Sequence, residues 1–134
     1  MTQEEKELLF QYLSMALPHG LIIDPIDCGP AKLVGVEGCD ALLYDLIHEK
    51  KYDKPWDIEY IKPYLYSMDD MTEEEWEDYQ KIKMQDWVSG NINGVFINAG
   101  LIVMWLLKKH FDFMGLIERG LAIKVTNENN LYKN

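Results

Sequence analysis

The sequence has few of the residues that build common catalytic and nucleic-acid-binding sites. It contains one arginine, Arg119, with two cysteines and three histidines among 134 residues. Arginine is the preferred side chain for phosphate groups and guanine edges. The formal net charge of −10 also repels a phosphate backbone. We therefore do not expect nucleic acid to be a partner.

The cysteines and histidines form no pattern of metal ligands. Cys28 and Cys39 have no second cysteine pair to complete a zinc site. The histidines, at positions 19, 48 and 110, lack metal-ligand spacing, so we predict no metal and no cofactor. The first residues lack the basic and apolar regions of a secretory signal, and we expect reduced thiols in a cytoplasmic protein.

Catalytic motifs and membrane-spanning runs are missing as well. No serine stands in a G-x-S-x-G motif, and the chain has neither a P-loop nor a G-x-G-x-x-G sequence. The most apolar run, residues 95–107, is too short for a membrane span, which needs about 20 residues. We predict no catalytic residues and no membrane association. Residues 95–107 are interpreted as a buried core helix, with Trp105 and Leu106 in the core.

Two Thr-x-x-Glu capping boxes predict the starts of helices, because the threonine oxygen accepts from an early backbone N–H and the glutamate reaches back. The box at residues 2–5 begins a helix over residues 3–17, which Pro18 ends. The box at residues 72–75 begins a second helix, which Gly90 ends.

A third helix is predicted after a turn. Asn93-Gly94 is a strong turn signal. The helix then runs to Lys108, Lys109 and His110, whose positive charges suit the C-terminal end of the helix dipole.

Residues 20–66 contain short apolar segments separated by turn-forming residues. These segments are residues 21–23, 32–36 and 42–47, and the proline and glycine between them favour turns. We expect three or four short antiparallel strands, although residues 42–47 also fit a helical turn. Residues 57–61 would supply the last strand, and Pro63 would mark a boundary.

The composition fits one ordinary domain, since 48% of the residues are hydrophobic. The predicted class is α+β, a small antiparallel sheet of three to five short strands packed with three α-helices. Residues 1–134 form a single domain, divided into an N-terminal helix (1–18), a mainly stranded part (20–66), a mainly helical part with a short closing strand (71–125) and a frayed tail (126–134). Asp112 is expected to cap a short turn before the closing strand at residues 121–125.

Five aromatic residues close together in the sequence form the best candidate for a partner-binding surface: Tyr52, Trp56, Tyr60, Tyr64 and Tyr66. Tyrosine and tryptophan dominate interface hot spots. The alternative is that these are aromatic residues of the sheet with exposed lysines between them. The acidic run at residues 69–78 follows directly, and we include Glu74 and Glu77 in the candidate surface because carboxylates would attract a basic partner.

Two segments resemble the signatures of one protein family. The first segment holds Ile61-Lys62-Pro63-Tyr64-Leu65, then Met68, then Met71-Thr72-Glu73-Glu74-Glu75. It resembles "IKPYLRPMSSMTEEE". The second holds Trp105-Leu106, His110-Phe111-Asp112-Phe113 and residues 115–122. It resembles "DWLNxxHFDYRGLIEKGLAL". Both occur, in this order, in a family of uncharacterised proteins of gut bacteria and their phages and prophages.

The resemblance covers about a third of the chain and implies a biological context rather than a reaction. Tyr66 and Met114 replace two arginines of the family pattern, so any binding that depends on those arginines is changed or lost here. We expect a non-enzymatic, acidic, protein-binding accessory protein of a phage or mobile element, modulating a host factor. The alternatives are a structural or regulatory homo-oligomer, or an enzyme with an unrecognised site.

Overall fold

The fold joins three α-helices to one mixed sheet of seven strands. The structure is a computed structural model that describes residues 1–26, 28–89 and 92–133. For residues 84–89 and 92–99 it describes the backbone only. The helices are α1 (Gln3–Ala16), α2 (Glu73–Ser89) and α3 (Ile92–Lys108). The strands are β1 (Ile22–Pro25), β2 (Ala31–Glu37), β3 (Asp40–Asp45), β4 (Lys50–Lys51), β5 (Trp56–Asp57), β6 (Ile61–Leu65) and β7 (Ile123–Lys124). The predicted α+β class is confirmed.

Helix α1 forms one side of the core. Its predicted capping box is present: Thr2 Oγ1 accepts from the Glu5 N–H at 3.1 Å, and the Glu5 carboxylate accepts from the Thr2 N–H at 2.9 Å. The helix buries four side chains against the sheet: Leu9, Tyr12, Leu13 and Ala16. The Tyr12 hydroxyl also donates to the Phe111 carbonyl at 3.1 Å, which joins α1 to the chain after α3.

The sheet is larger than predicted and is not purely antiparallel. Its strand order is β4-β3-β2-β1-β6-β7, with β5 pairing with β3 outside this path. β7 runs parallel to β6, because it returns to the sheet through two helices rather than a hairpin. The prediction of three to five antiparallel strands was therefore wrong in number and in direction. β4, β5 and β7 have two residues each, too few to show alternation in a sequence.

The sixth strand begins later than the sequence suggested. Residues 57–61 were predicted as a strand, but Ile58–Tyr60 form a 3-10 turn. Pro63, predicted as a boundary, lies inside β6 opposite Ile23 of β1. β7 pairs with β6 only from Tyr64 onward. Pro63 thus lies where β6 is an edge strand, so its missing N–H removes no ladder hydrogen bond.

Helices α2 and α3 pack against each other as a hairpin that is only partly joined to the core. No described side chain of α2, residues 73–83, is buried. On α3, Leu106 is buried but Leu101 and Met104 are 44% and 59% exposed. The prediction of a buried core helix at residues 95–107, with Trp105 and Leu106 in the core, is confirmed for Leu106 but wrong for the described helix as a whole, because Trp105 is half-buried and Gly100, Leu101 and Met104 are exposed. Residues 95–99 lie outside the described side chains.

The end of the hairpin differs from the predicted turn. α3 begins at Ile92, so Asn93-Gly94 belongs to the helix: the long apolar segment that follows outweighs the local turn preference. Gly90, the predicted end of the second helix, lies outside the described residues. No helix among those described combines the length and the hydrophobicity needed to cross a membrane.

The chain after α3 is held by its own side chains. Asp112 caps a turn as predicted, since its carboxylate accepts from the Leu116 and Ile117 N–H groups, both at 2.8 Å. β7 lies within the predicted closing strand. The tail, predicted to fray, is instead anchored through Tyr132.

Candidate functional site

The predicted aromatic surface is divided by the sheet. Tyr52 and Trp56 contact each other edge to face, with ring centroids 5.5 Å apart, beside β3. Tyr64 and Tyr66 lie in and directly after β6, and β2 and β1 separate β3 from β6. Trp56 belongs to β5, one strand beyond β3, so at about 4.8 Å per strand the two pairs lie about 19 Å apart across the sheet.

Tyr60 stands apart from both pairs. It belongs to the 3-10 turn before β6 and is 54% exposed. Tyr52 and Trp56, in contrast, are half-buried and pack against the core. The five aromatic residues therefore do not form one surface, because β5 pairs with β3 whereas β6 pairs with β1.

The two predicted carboxylates lie on different sides of the start of α2. Glu74 faces a groove that Tyr66 also lines. Glu77 lines a separate depression together with Trp76. Of the two predicted carboxylates, the structure thus brings Glu74 together with Tyr66 and places Glu77 in a separate depression.

The depression beside Trp76 combines apolar and acidic groups, and we call it the Trp76 depression. It has a volume of about 480 Å³ and is lined by Met68, Asp69, Met71, Thr72, Glu73, Trp76 and Glu77. Trp76 is 53% exposed.

Short-range hydrogen bonds hold the chain around this depression. Ser67 Oγ accepts from the Asp69 N–H at 3.2 Å, which caps a 3-10 turn at Met68–Asp70. Thr72 and Glu75 form the predicted capping box of α2, with hydrogen bonds of 3.1 and 3.0 Å. Because the chain direction is set by these caps, the position of Trp76 follows from the sequence directly before it.

A series of ring contacts joins Trp76 to the core. Trp76 contacts Tyr79 at 6.0 Å between centroids, Tyr79 contacts Trp105 at 6.1 Å, and Trp105 stacks on Phe111 at 5.9 Å. Phe111 is 1% exposed. The exposed tryptophan thus lies at the outer end of a continuous aromatic series that begins in the core.

The second concave feature is a groove of about 910 Å³ that is lined by residues of both charges. Its lining includes the acidic residues Asp70, Glu74, Glu75 and Asp78 and the basic residues Lys108, Lys109, Lys124 and Lys133. Lys124 Nζ lies 3.5 Å from the Asp70 carboxylate. Because the acidic and basic residues are equal in number, the groove itself has no excess charge.

Tyr132 anchors the tail beneath this groove. Its hydroxyl accepts from the Ile22 N–H at 2.9 Å and donates to the Tyr64 carbonyl at 2.8 Å. Burial strongly raises the pKa of Tyr132, so this hydroxyl stays protonated. The Tyr66 hydroxyl donates to Asn130 at 3.0 Å, which holds the tail at a second point.

His110 stacks on the anchored tyrosine and is not the predicted helix-end cation. Its ring lies 4.0 Å from that of Tyr132 with an interplanar angle of 13°, and its Nε2 lies 2.7 Å from the His19 carbonyl. Burial lowers the pKa of His110 below its ordinary value of 6.5. His110 is therefore neutral at pH 7, with an Nε2–H that donates to His19.

A third depression, of about 440 Å³, contains Cys28, Asp45 and His48. Asp45 is buried and accepts from the Ile47 N–H at 2.9 Å, and His48 Nδ1 lies 2.7 Å from its carboxylate. The hydrogen bond with His48 holds the pKa of Asp45 below its usual range. These bonds hold the turn between β3 and β4. No group of three metal-ligating side chains occurs in the described part of the chain, and both cysteines are exposed free thiols.

Sequence reasoning singled out neither Trp76 nor Tyr132. Trp76 has helical spacing with Tyr79, which is typical of a buried helix face, so nothing in the pattern marked it as exposed. Tyr132 is the only aromatic residue in the polar tail, and that isolation was the available signal. Comparisons of this chain with protein-family models, with curated proteins and with solved structures found no match.

Proposed function

We propose that this chain is a non-enzymatic accessory protein of a phage or prophage that acts in the bacterial cytoplasm by binding a basic protein through the Trp76 depression. The observation that carries the proposal is the exposed Trp76 ring between two methionines and three carboxylates. The biological context rests on the resemblance of the two segments described above.

The chemistry of the Trp76 depression suits a lysine or arginine side chain. A cation placed over the face of a tryptophan ring is attracted by its quadrupole. Met68 and Met71 offer adaptable apolar contact to the aliphatic part of such a side chain. Asp69, Glu73 and Glu77 supply the opposite charge. All three requirements of a basic side chain are met within one depression.

The surrounding charge favours the same class of partner. Seven carboxylates lie within residues 69–78, in a chain of net charge −10. Such a field raises the rate of encounter with a basic surface and lowers it with an acidic one. A basic host protein therefore fits both the local contact and the long-range field.

The proposal is tested by affinity capture from a host lysate with three forms of the chain. Trp76→Ala removes the proposed contact, and Tyr60→Ala is the matched control, since the two rings are 53% and 54% exposed. We expect the wild type and Tyr60→Ala to recover the same basic protein, and Trp76→Ala to lose it. Equal recovery by both variants would contradict the proposal. Loss with Tyr60→Ala alone would move the contact from the Trp76 depression to the surface around Tyr60.

The role of the carboxylates is tested with the purified partner. Glu73→Gln combined with Glu77→Gln should slow association, with a larger effect in low salt, because attraction between exposed charges is screened over about 10 Å at 0.1 M salt. Lys50→Gln combined with Lys51→Gln changes the same number of charges elsewhere and should not slow association. Stopped-flow measurement of the association rate distinguishes the two pairs.

A further inference from the structure

Helix α3 has an outward stripe that is apolar, which we define by Gly100, Leu101 and Met104. These three residues and Lys108 are exposed, whereas residues 102, 103 and 105–107 are half-buried or buried. At 100° per residue, positions 100, 101, 104 and 108 fall within one arc of about 100°. The exposed residues therefore lie on one side of the helix, and only Lys108, at its end, is charged.

This arrangement is the reverse of an ordinary surface helix, which turns charged and polar residues outward. Met104 is 59% exposed and Leu101 44%. A Cβ added at Gly100 would meet nothing within 4 Å, so a backbone can approach the stripe closely at this point. A glycine inside a helix destabilises it relative to alanine, and no contact in the described part of the chain requires the glycine.

The sequence around the stripe contains no acidic residues. The chain contains 23 acidic residues, yet none lies between Asp86 and Asp112. Two copies with a net charge of −10 each repel one another over most of their surfaces. The outward stripe of α3 is a place where two copies can meet without opposing carboxylates. We infer that two copies of this chain associate through the outward stripe of α3, with the two helices antiparallel.

The antiparallel direction follows from the charges at one end of α3. Lys108 and Lys109 lie at the C-terminal end of the helix, close to the acidic start of α2. If the two α3 helices were parallel, the lysines of one copy would lie beside the lysines of the other, and the acidic starts of the two α2 helices would also lie close together. Antiparallel helices separate the two ends by the length of α3, about 25 Å, which exceeds the screening length of about 8 Å at physiological salt.

The outward face of α3 suits a weak, reversible dimer. A helix of about 25 Å that is about 10 Å across presents a projected face of about 250 Å². Accessible area exceeds the projected area on a surface of side chains, but it stays below the area of about 800 Å² per partner that is usual for a stable interface, and small interfaces are typical of transient association.

The inference is tested by sedimentation velocity of the purified chain over about 1 to 200 µM in about 0.15 M salt, the range in which weak dimers dissociate. We expect the wild type to shift from monomer to dimer with concentration. Met104→Glu should remain monomeric. Ile47→Glu is the matched control, since Ile47 is also 59% exposed but lies in the turn after β3, and it should dimerise like the wild type.

Circular dichroism establishes that each variant is folded. A wild type that stays monomeric throughout, or a Met104→Glu variant that still dimerises, would overturn the inference. Equal loss of dimer in both variants would indicate nonspecific hydrophobic association and would also overturn the inference. The relative direction of the two α3 helices is tested with a spin label at position 108 of each copy, in a chain whose two native cysteines are replaced by serine. A distance of about 25 Å between the two labels supports antiparallel helices, and a distance of about 10 Å contradicts them. Trp76→Ala is expected to dimerise normally, so this test is independent of the partner-binding proposal.

Discussion

At the scale of single residues, Tyr132 places a hydroxyl between two backbone groups that belong to neighbouring strands. The register that pairs Ile23 with Pro63 would place Ile22 opposite Tyr64. The strands separate at this point, and the Tyr132 hydroxyl bonds both the Ile22 N–H and the Tyr64 carbonyl. One side-chain oxygen thus replaces a ladder hydrogen bond and holds the tail to the sheet.

Removal of this hydroxyl should therefore be costly. Tyr132→Phe leaves one donor and one acceptor without a partner, and each unsatisfied buried group costs about 1–3 kcal/mol. We expect a loss of about 2 kcal/mol or more in the free energy of unfolding, measured by urea denaturation. Tyr60→Phe, at a ring that is 54% exposed, should change it little. A stability of Tyr132→Phe equal to that of Tyr60→Phe would show that the tail does not support the sheet.

His110 makes the same region sensitive to acid. Burial lowers the pKa of His110 from 6.5, so the unfolded chain binds a proton at a higher pH than the folded chain does. The contribution of His110 to stability is full above about pH 6.5 and is lost as the pH falls through the lower, folded-state pKa.

His110→Asn should reduce this dependence on pH. Asparagine suits the left-handed backbone at this position, where φ is 63°, but it has no group that titrates near pH 6. His19, Lys108 and Lys109 remain in both proteins. Between pH 7.5 and 5.5 we expect the melting temperature of the wild type to fall more than that of His110→Asn. Parallel falls in the two proteins would assign the sensitivity to other groups.

At the scale of elements, the two capping boxes have the same chemistry but different surroundings. α1 buries four side chains in the core, whereas no described side chain of α2 is buried. Loss of a threonine cap costs about 1 kcal/mol of helix stability. The loss lowers the global free energy of unfolding only if the helix unfolds together with the core.

Thr2→Ala should accordingly lower the global free energy of unfolding by about 1 kcal/mol. Thr72→Ala should instead act mainly on α2, raising amide exchange in residues 73–83 about fivefold, with a smaller effect on the global transition. Denaturant titration and hydrogen exchange on both variants measure the difference. Equal global losses would show that α2 unfolds together with the core.

The elements that could be predicted from the sequence are those with local causes. Both capping boxes, the Asp112 turn and β2 each depend on residues close together in the chain. The parallel direction of β7 depends on a return through two helices, which no local pattern records. The exposure of α3 was missed because a hydrophobic helix without a covering surface has the same sequence as a buried one.

The candidate site shows the same limit. Tyr52 and Tyr66 are close in sequence, yet β5 and β6 join different strands and place them on separate parts of the sheet. The acidic run was identified correctly as a helix start, because caps are local. Trp76 is exposed beside this run because the core covers little of α2. No sequence motif indicates how much of a helix the core covers.

At the scale of the whole molecule, the charge distribution opposes the compact state. The chain has 23 acidic and 13 basic residues, and seven of the carboxylates lie within residues 69–78. A net charge far from zero destabilises a folded chain through self-repulsion. Salt screens that repulsion, since the screening length falls from about 30 Å at 0.01 M to about 10 Å at 0.1 M.

We therefore expect the melting temperature to rise as KCl is increased from about 0.01 M to about 0.2 M. Glu74→Gln with Glu77→Gln removes two negative charges, changing the net charge from −10 to −8, and should reduce the rise. Lys50→Gln with Lys51→Gln removes two positive charges, changing it from −10 to −12, and should increase the rise. Calorimetry on the wild type and the two double variants measures the rise in melting temperature for each protein, and the expected order of the three rises can then be checked. A melting temperature that falls with salt would show that ion pairs such as Lys6–Glu59, at 2.7 Å, stabilise the fold more than the excess of carboxylates destabilises it.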